Sequence, residues 1–141
     1  MPLEPREPLS PLVRRGVSEF NRRRFYECHE YLEDAWREEE SSIRLLYQGI
    51  LQIGVGFHHQ RTGNWYGAVR LIAKGLDKLD QFEPETLGID VSRLRRETRT
   101  CLGELRRLGS ERIAEFDGSQ IPVILTSNSS NCPDTEEPPH P

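Results

Sequence analysis

Cysteine is scarce in this chain. The three present, Cys28, Cys101 and Cys132, are odd in number, far apart and never in a CxxC pair. That usage excludes a disulfide framework and a zinc knuckle, and it fits a reducing compartment. Lysine is nearly missing as well: Lys74 and Lys78 stand against 17 arginines. This balance reads first as the compositional bias of a GC-rich genome, although arginine also suits bidentate carboxylate pairs. There is no excess of positive charge. Residues 113–141 carry Glu115, Asp117, Asp134, Glu136 and Glu137 and no Lys or Arg, which leaves 19 bases against 18 acids in the first 112 residues. A nearly neutral body argues against non-specific nucleic-acid binding, whose affinity comes from a net basic surface. Long apolar runs are lacking too. The longest, Ile43 to Phe57, is broken by Arg44, Gln48 and Gln52 and is too short to span a bilayer. The opening Met1-Pro2-Leu3-Glu4-Pro5 has no basic segment followed by an apolar one, so no secretory signal is expected. A cytoplasmic protein with no membrane association follows as the expectation.

What the chain does contain is helical periodicity. Residues 1–9, with Pro2, Pro5 and Pro8, read as an extended leader, and a single helical domain is expected over 10–112. Its first helix runs from about Ser10 to Asn21, with Leu12, Val13, Val17 and Phe20 inward and Pro11 tolerated in the first turn. After the Arg22-Arg23-Arg24 link, a second helix covers Phe25 to Glu39. A third starts near Ser41 or Ser42, runs to Arg61 and is apolar nearly all round, which places it centrally. Its Gly49, Gly54 and Gly56 each cost roughly 1 kcal/mol of helix stability against Ala, and close helix approach is the natural compensation. Thr62-Gly63-Asn64 ends that helix and caps a fourth, Trp65 to Phe82. Pro84 to Gly88 reads as a loop. Asp90 caps a fifth helix whose Val91, Leu94, Thr98, Cys101, Leu105 and Leu108 form its inner stripe. Residues 113–125, with Ile121 to Leu125, are expected to dock in extended form, and 126–141 to be a disordered tail.

An internal echo supports this organisation. Phe25-Tyr26-Glu27-Cys28-His29-Glu30-Tyr31-Leu32 aligns with Trp65-Tyr66-Gly67-Ala68-Val69-Arg70-Leu71-Ile72, forty residues on. The expected fold is therefore all-α: a compact bundle of about five helices built from two helical hairpins, loosely tetratricopeptide-like, with disordered ends. In this alignment His29 takes the slot of Val69, which predicts a buried imidazole.

The chemistry concentrates on two helices. Phe25, His29, Leu32 and Trp36 recur at helical spacing, with Glu33 one turn after His29 and Glu30 beside it. On the third helix Gln48, Gln52 and His59 share a stripe at intervals of four and seven, whereas His58 points elsewhere, toward a surface or hairpin edge. If the two helices pack antiparallel, His29 and Glu33 would meet the Gln/His stripe. The bland account is a buried hydrogen-bond network, in which His29→Ala would cost roughly 1–3 kcal/mol. The sharper accounts are a divalent metal held by His29, Glu33 and His59, or metal-free acid/base chemistry. The segment is His-Glu-x-x-Glu, not the His-Glu-x-x-His of zinc proteases. Trp36 and Trp65 read as core anchors. Arg93, Arg95, Arg96 and Arg99 read as a solvated face partly paired with Glu97 and Glu104, with RNA or an acidic partner as the alternative.

Phe20-Asn21, the block from Phe25 to Trp36, Gln48-Gly49-Ile50-Leu51-Gln52, and His59 through Gly63-Asn64-Trp65-Tyr66-Gly67-Ala68 together resemble the family named domain of unknown function 309. The resemblance covers about residues 10–82. It implies a compact all-helical fold and no assigned activity. The family's characteristic polar positions would fall on His29, Glu30, Glu33, Trp36, Gln48, Gln52 and His59, with Cys28 standing where a small residue such as Ala is usual. The leading functional expectation is a non-enzymatic helical scaffold or binding module with no cofactor, acting through a protein partner or self-association. The alternative is a small metal-dependent or acid/base enzyme built on the His/Glu/Gln cluster.

Overall fold

The computed structural model describes residues 9–127. Of the leader expected at 1–9 and the tail expected at 126–141, residues 1–8 and 128–141 lie outside the described residues, while Leu9 is buried and Thr126 pairs with Ile89. Five helices follow one another, α1 (Pro11–Asn21), α2 (Phe25–Glu38), α3 (Arg44–Arg61), α4 (Trp65–Leu79) and α5 (Val91–Leu108). Each packs antiparallel on its predecessor. Arg15 reaches Tyr31 while Phe20 meets Phe25. Arg44 lies over Trp36 while His58 lies by Tyr26. The Trp65 indole donates to the Leu105 carbonyl, and Arg95 to that of Leu76.

Helix ends follow local chemistry. Ser10 is a cap rather than the first helical residue: its hydroxyl accepts from the Val13 amide at 3.3 Å, with Pro11 at the first position. The Asn64 and Asp90 side chains do the same for α4 and α5. Helix α3 begins two to three residues later than the serine signal suggests. Ser41 accepts from the Ile43 amide and the chain makes one turn before the helical ladder starts, so the serine organises the turn and not the helix. The fourth helix stops at Leu79 and tightens to a 3-10 turn over Asp80–Phe82.

The expected loop at Pro84–Gly88 contains a small hairpin. Strands β1 (Glu85–Thr86) and β2 (Ile89–Asp90) pair antiparallel, and Leu87 and Gly88 both take positive φ (53° and 84°), as a tight hairpin turn requires. Only the second of these is a glycine, so the Asn-Gly or Asp-Gly signal that marks such turns was missing. Thr126 bridges to Ile89 on the far side. The preceding segment crosses the base of the bundle. Asn21 exchanges two hydrogen bonds with the Ile124 backbone (3.0 and 2.6 Å), and the Arg23 guanidinium donates to the Pro122 and Ile121 carbonyls. Ile121 and Ile124 are buried.

The core is centred on Phe20, Phe25 and Phe57, whose ring centroids lie 5.2–6.5 Å apart, continued by Leu32, Ile50, Ile53, Ile72, Leu79 and Leu105. The α3–α4 crossing is very close. A Cβ built on Gly75 would stand 2.6 Å from the Gly49 carbonyl oxygen, and one on Gly56 would stand 2.5 Å from Ile72. Gly103, by contrast, faces open space on α5. Gly103→Ala should therefore stabilise the protein by about 0.5–1 kcal/mol, read as a higher urea midpoint at unchanged slope.

Cys28 and Cys101 are free and fully buried. Burial pushes both thiols up to about 12, with Glu19 adding to the effect at Cys28 and Glu97 at Cys101, where Arg23 opposes it. In the unfolded chain a thiol ionises near ~8.5. The stabilisation is thus complete below that pH and is lost as pH rises from there toward 12. At about pH 10 the loss should approach 2 kcal/mol per thiol in order of magnitude. Denaturation at neutral pH and near pH 10 checks this, and Cys28→Ala should flatten the decline.

Candidate functional site

The α2 core stripe is Phe25, Cys28, Leu32 and Ala35, not the Phe25-His29-Leu32-Trp36 row expected from spacing alone. Both rows satisfy a three-four period, and the small apolar thiol goes inward in preference to the imidazole because burying it leaves no strong polar group to satisfy. From Cys28 to Leu32 the internal echo is obeyed position by position. Cys28 and Ala68 are both fully buried, Leu32 and Ile72 likewise, and His29 and Val69 are both half-buried. The slot of Val69 lies at the core's edge, so the buried His29 is corrected to a half-exposed one.

On the outer edge of α2, His29 Nε2 stands 3.4 Å from Glu33 Oε1, with the two side chains 30% and 34% exposed. The other Glu33 oxygen meets Arg37 at 3.2 Å. Tyr26, 56% exposed, places its ring centroid 5.9 Å from His29 and 6.0 Å from His58 of α3. One helical turn beyond Glu33, Trp36 is covered by the Arg44 guanidinium at 4.7 Å from its centroid. Trp36 Nε1 and Arg44 Nε are both buried without a hydrogen-bond acceptor. Glu30 is exposed. The result is a continuous face along α2 and α3 carrying a tyrosine, two imidazoles, a carboxylate, an indole and a guanidinium.

The Gln48-Gln52-His59 stripe does not join it. His59 looks the other way, toward α4: its ring lies beside Gly67, and its Nδ1 is 3.3 Å from the Asn64 amide nitrogen. Gln48 and Gln52, half-buried, share that side of α3 by helical spacing, and Gln52 Oε1 is buried without a donor. The physical reason is the breadth of α3. Gly54 and Phe57 face Cys28, Phe20 and Phe25, whereas Gly49 and Gly56 face α4. A stripe roughly 150° round from the first set cannot also face α2. The two histidines thus exchange the roles expected of them: His58 meets the α2 face and His59 does not. Among the described residues no three His, Cys, Asp or Glu side chains come together as a metal-binding group, so His29, Glu33 and His59 are not assembled as one.

Trp65 is half-buried, its indole N–H donating to the Leu105 carbonyl at 2.7 Å. Sequence reasoning missed Tyr26, Arg44 and His58 as members of the face. The available signal was Tyr26, a large aromatic one position off the core stripe.

With His29 half-exposed and its partner solvated, His29→Ala should change stability by no more than about 0.5 kcal/mol, well below the loss expected of a buried imidazole. A thermal melt of the variant checks this.

Among the described residues no helix is long and apolar enough to cross a membrane. The uncharacterized protein YpuF of Bacillus subtilis (strain 168) is 39% identical over 75 residues, which are 51% of this chain and 43% of YpuF. The chain thus matches less than half the length of that relative. The motif-bearing part, residues 13–71, from α1 into the middle of α4, matches the family described as Domain of unknown function (DUF309).

Proposed function

We propose that the protein is a non-enzymatic helical scaffold that holds a protein partner on the α2–α3 face. The observation that carries this reading is the row formed by Tyr26, His29, Trp36, Arg44 and His58, aromatic and cationic side chains left partly open on two rigid, packed helices. Tyr, Trp and Arg are the residue types that concentrate binding energy at protein interfaces, because each offers a large contact area and a directed donor. The buried thiols of Cys28 and Cys101 support a reducing, cytoplasmic setting.

The test uses Tyr26→Ala with His58→Ala. Both side chains lie at the surface end of the face, so the variant should melt within about 1 kcal/mol of the native chain. Affinity capture with the native chain should recover a partner that the double variant binds at least about tenfold more weakly. Equal capture by the two would overturn the reading.

A second reading rests on the His29–Glu33 contact alone. A carboxylate 3.4 Å from an imidazole nitrogen orients the ring and supports a general base at its other nitrogen. Under it, turnover of a substrate would vanish in His29→Gln, while capture by the Tyr26/His58 variant stayed intact.

A further inference from the structure

Helix α5 carries six arginines and two glutamates, a net charge of +4 on 18 residues. Three of the arginines are engaged: Arg93 with Glu97, Arg95 with Glu83 and Asp80, and Arg107 with Glu104. The other three, Arg96, Arg99 and Arg106, are exposed and form no ion pair within 4 Å among the described residues, although Arg99 lies near enough to Glu83 to add to Arg95 in holding its carboxyl below the ordinary range. With Gly103 they make a narrow stripe at helical spacing, on the side of α5 opposite Leu94, Thr98, Cys101 and Leu105. Three like charges along one helix edge repel one another.

The complementary charge is on the same chain. Residues 128–141 hold Asp134, Glu136 and Glu137 and no Lys or Arg. Their point of departure is fixed beside the start of α5: the Ser127 amide donates to the Gly88 carbonyl, Thr126 pairs with Ile89, and the Asp90 amide donates to the Leu125 carbonyl. We propose that this acidic segment docks across the arginine stripe of its own α5.

The distances permit it. Asp134 lies seven residues past Ser127, a reach of about 23 Å in extended chain, and Glu136 and Glu137 reach roughly 30 Å. Arg96 and Arg99 stand about 9 and 14 Å along the helix from Asp90, at ~1.5 Å per residue. Passing round the helix to its outer side, with a radius of about 5–6 Å including side chains, makes the path roughly 20 Å. Arg96 and Arg99 are thus within range of all three acids, while Arg106, roughly 30 Å away by the same path, lies beyond Asp134 and at the limit for Glu136 and Glu137. Tethering keeps the acids at high effective concentration, and for solvent-exposed pairs the contact weakens with salt.

The native full-length chain offers its own probe site. Cys28 and Cys101 are fully buried, so a thiol-specific nitroxide at neutral pH goes to Cys132, within the acidic segment. At low ionic strength the backbone amide signals of Arg96 and Arg99 should lose about half their intensity or more, relative to the reduced nitroxide, and regain it at about 0.3 M salt. They should regain it equally when the segment is neutralised by Asp134→Asn, Glu136→Gln and Glu137→Gln, changes that leave the packed helices untouched. Full intensity in the native chain, or the same broadening with the neutralised segment, would overturn the proposal. So would a stripe that ignores the segment but shifts its amide signals when a short single-stranded RNA is added, since nucleic acid would then be its ligand.

Discussion

Phe57→Ala should remove about 3–5 kcal/mol of stability, a large part of the roughly 5–15 kcal/mol that holds a domain of this size. The ring is fully buried where α1, α2 and α3 meet, 5.8 Å from Phe25 and 6.5 Å from Phe20. Two terms add. The lost side chain forfeits its transfer free energy, and the space it leaves is lined by two rings that cannot close in. Phe20 and Phe25 flank the link whose Arg23 is tied to the Ile121 and Pro122 carbonyls, and the Arg61 guanidinium covers Phe25 at 5.1 Å. Collapse would have to break those ties. Urea denaturation at unchanged slope measures the effect, with Tyr66→Ala, at a side chain 74% exposed, as a comparison expected to move by less than about 0.5 kcal/mol. A loss below about 2 kcal/mol would show that the three helices can close the gap.

The second large effect has a sign opposite to helix propensity. Gly75→Ala at a helix interior would ordinarily gain about 1 kcal/mol. Here the new methyl would stand 2.6 Å from the Gly49 carbonyl oxygen and 2.6 Å from Ile53 Cγ1. A side chain could rotate away, but a backbone carbonyl held in its own helix cannot. The helices must therefore separate, and the contacts of Gly49 with Leu79 and of Gly56 with Ile72 loosen together. The expected outcome is a net loss of about 2–3 kcal/mol. Set beside Gly103→Ala, the same exchange with the opposite sign, it separates close approach from propensity in one pair of measurements.

The fold was largely legible because its signals are local. Ser10, Asn64 and Asp90 cap helices by bonding amides three residues on, and the apolar stripe of α5 from Val91 to Leu108 is the face that is buried. The hairpin at Leu87-Gly88 was not legible, because Leu rarely takes positive φ, and it is held by the Glu85 carboxylate accepting from the Gly88 amide together with tertiary pairing to Thr126 and Leu125. The site was half legible. His29, Glu33 and Trp36 do share an edge of α2, but Cys28 and His29 are one residue apart and both fit the period. Which of them turns inward depends on what packs opposite: Gly54 and Phe20 leave room for a thiol.

The order of the helices, the caps at Ser10, Asn64 and Asp90 and the inner stripes of α1 and α5 were set by the residues themselves, since each depends on contacts within a turn or two of the chain. Which flank of α3 meets α2 and which meets α4 was decided only in three dimensions. A helix apolar nearly all round has no single inward direction, and its orientation is chosen by the glycines that let α4 approach and the aromatic rings that fill the other side. That choice put His58 on the α2 face beside Tyr26 and turned His59 away.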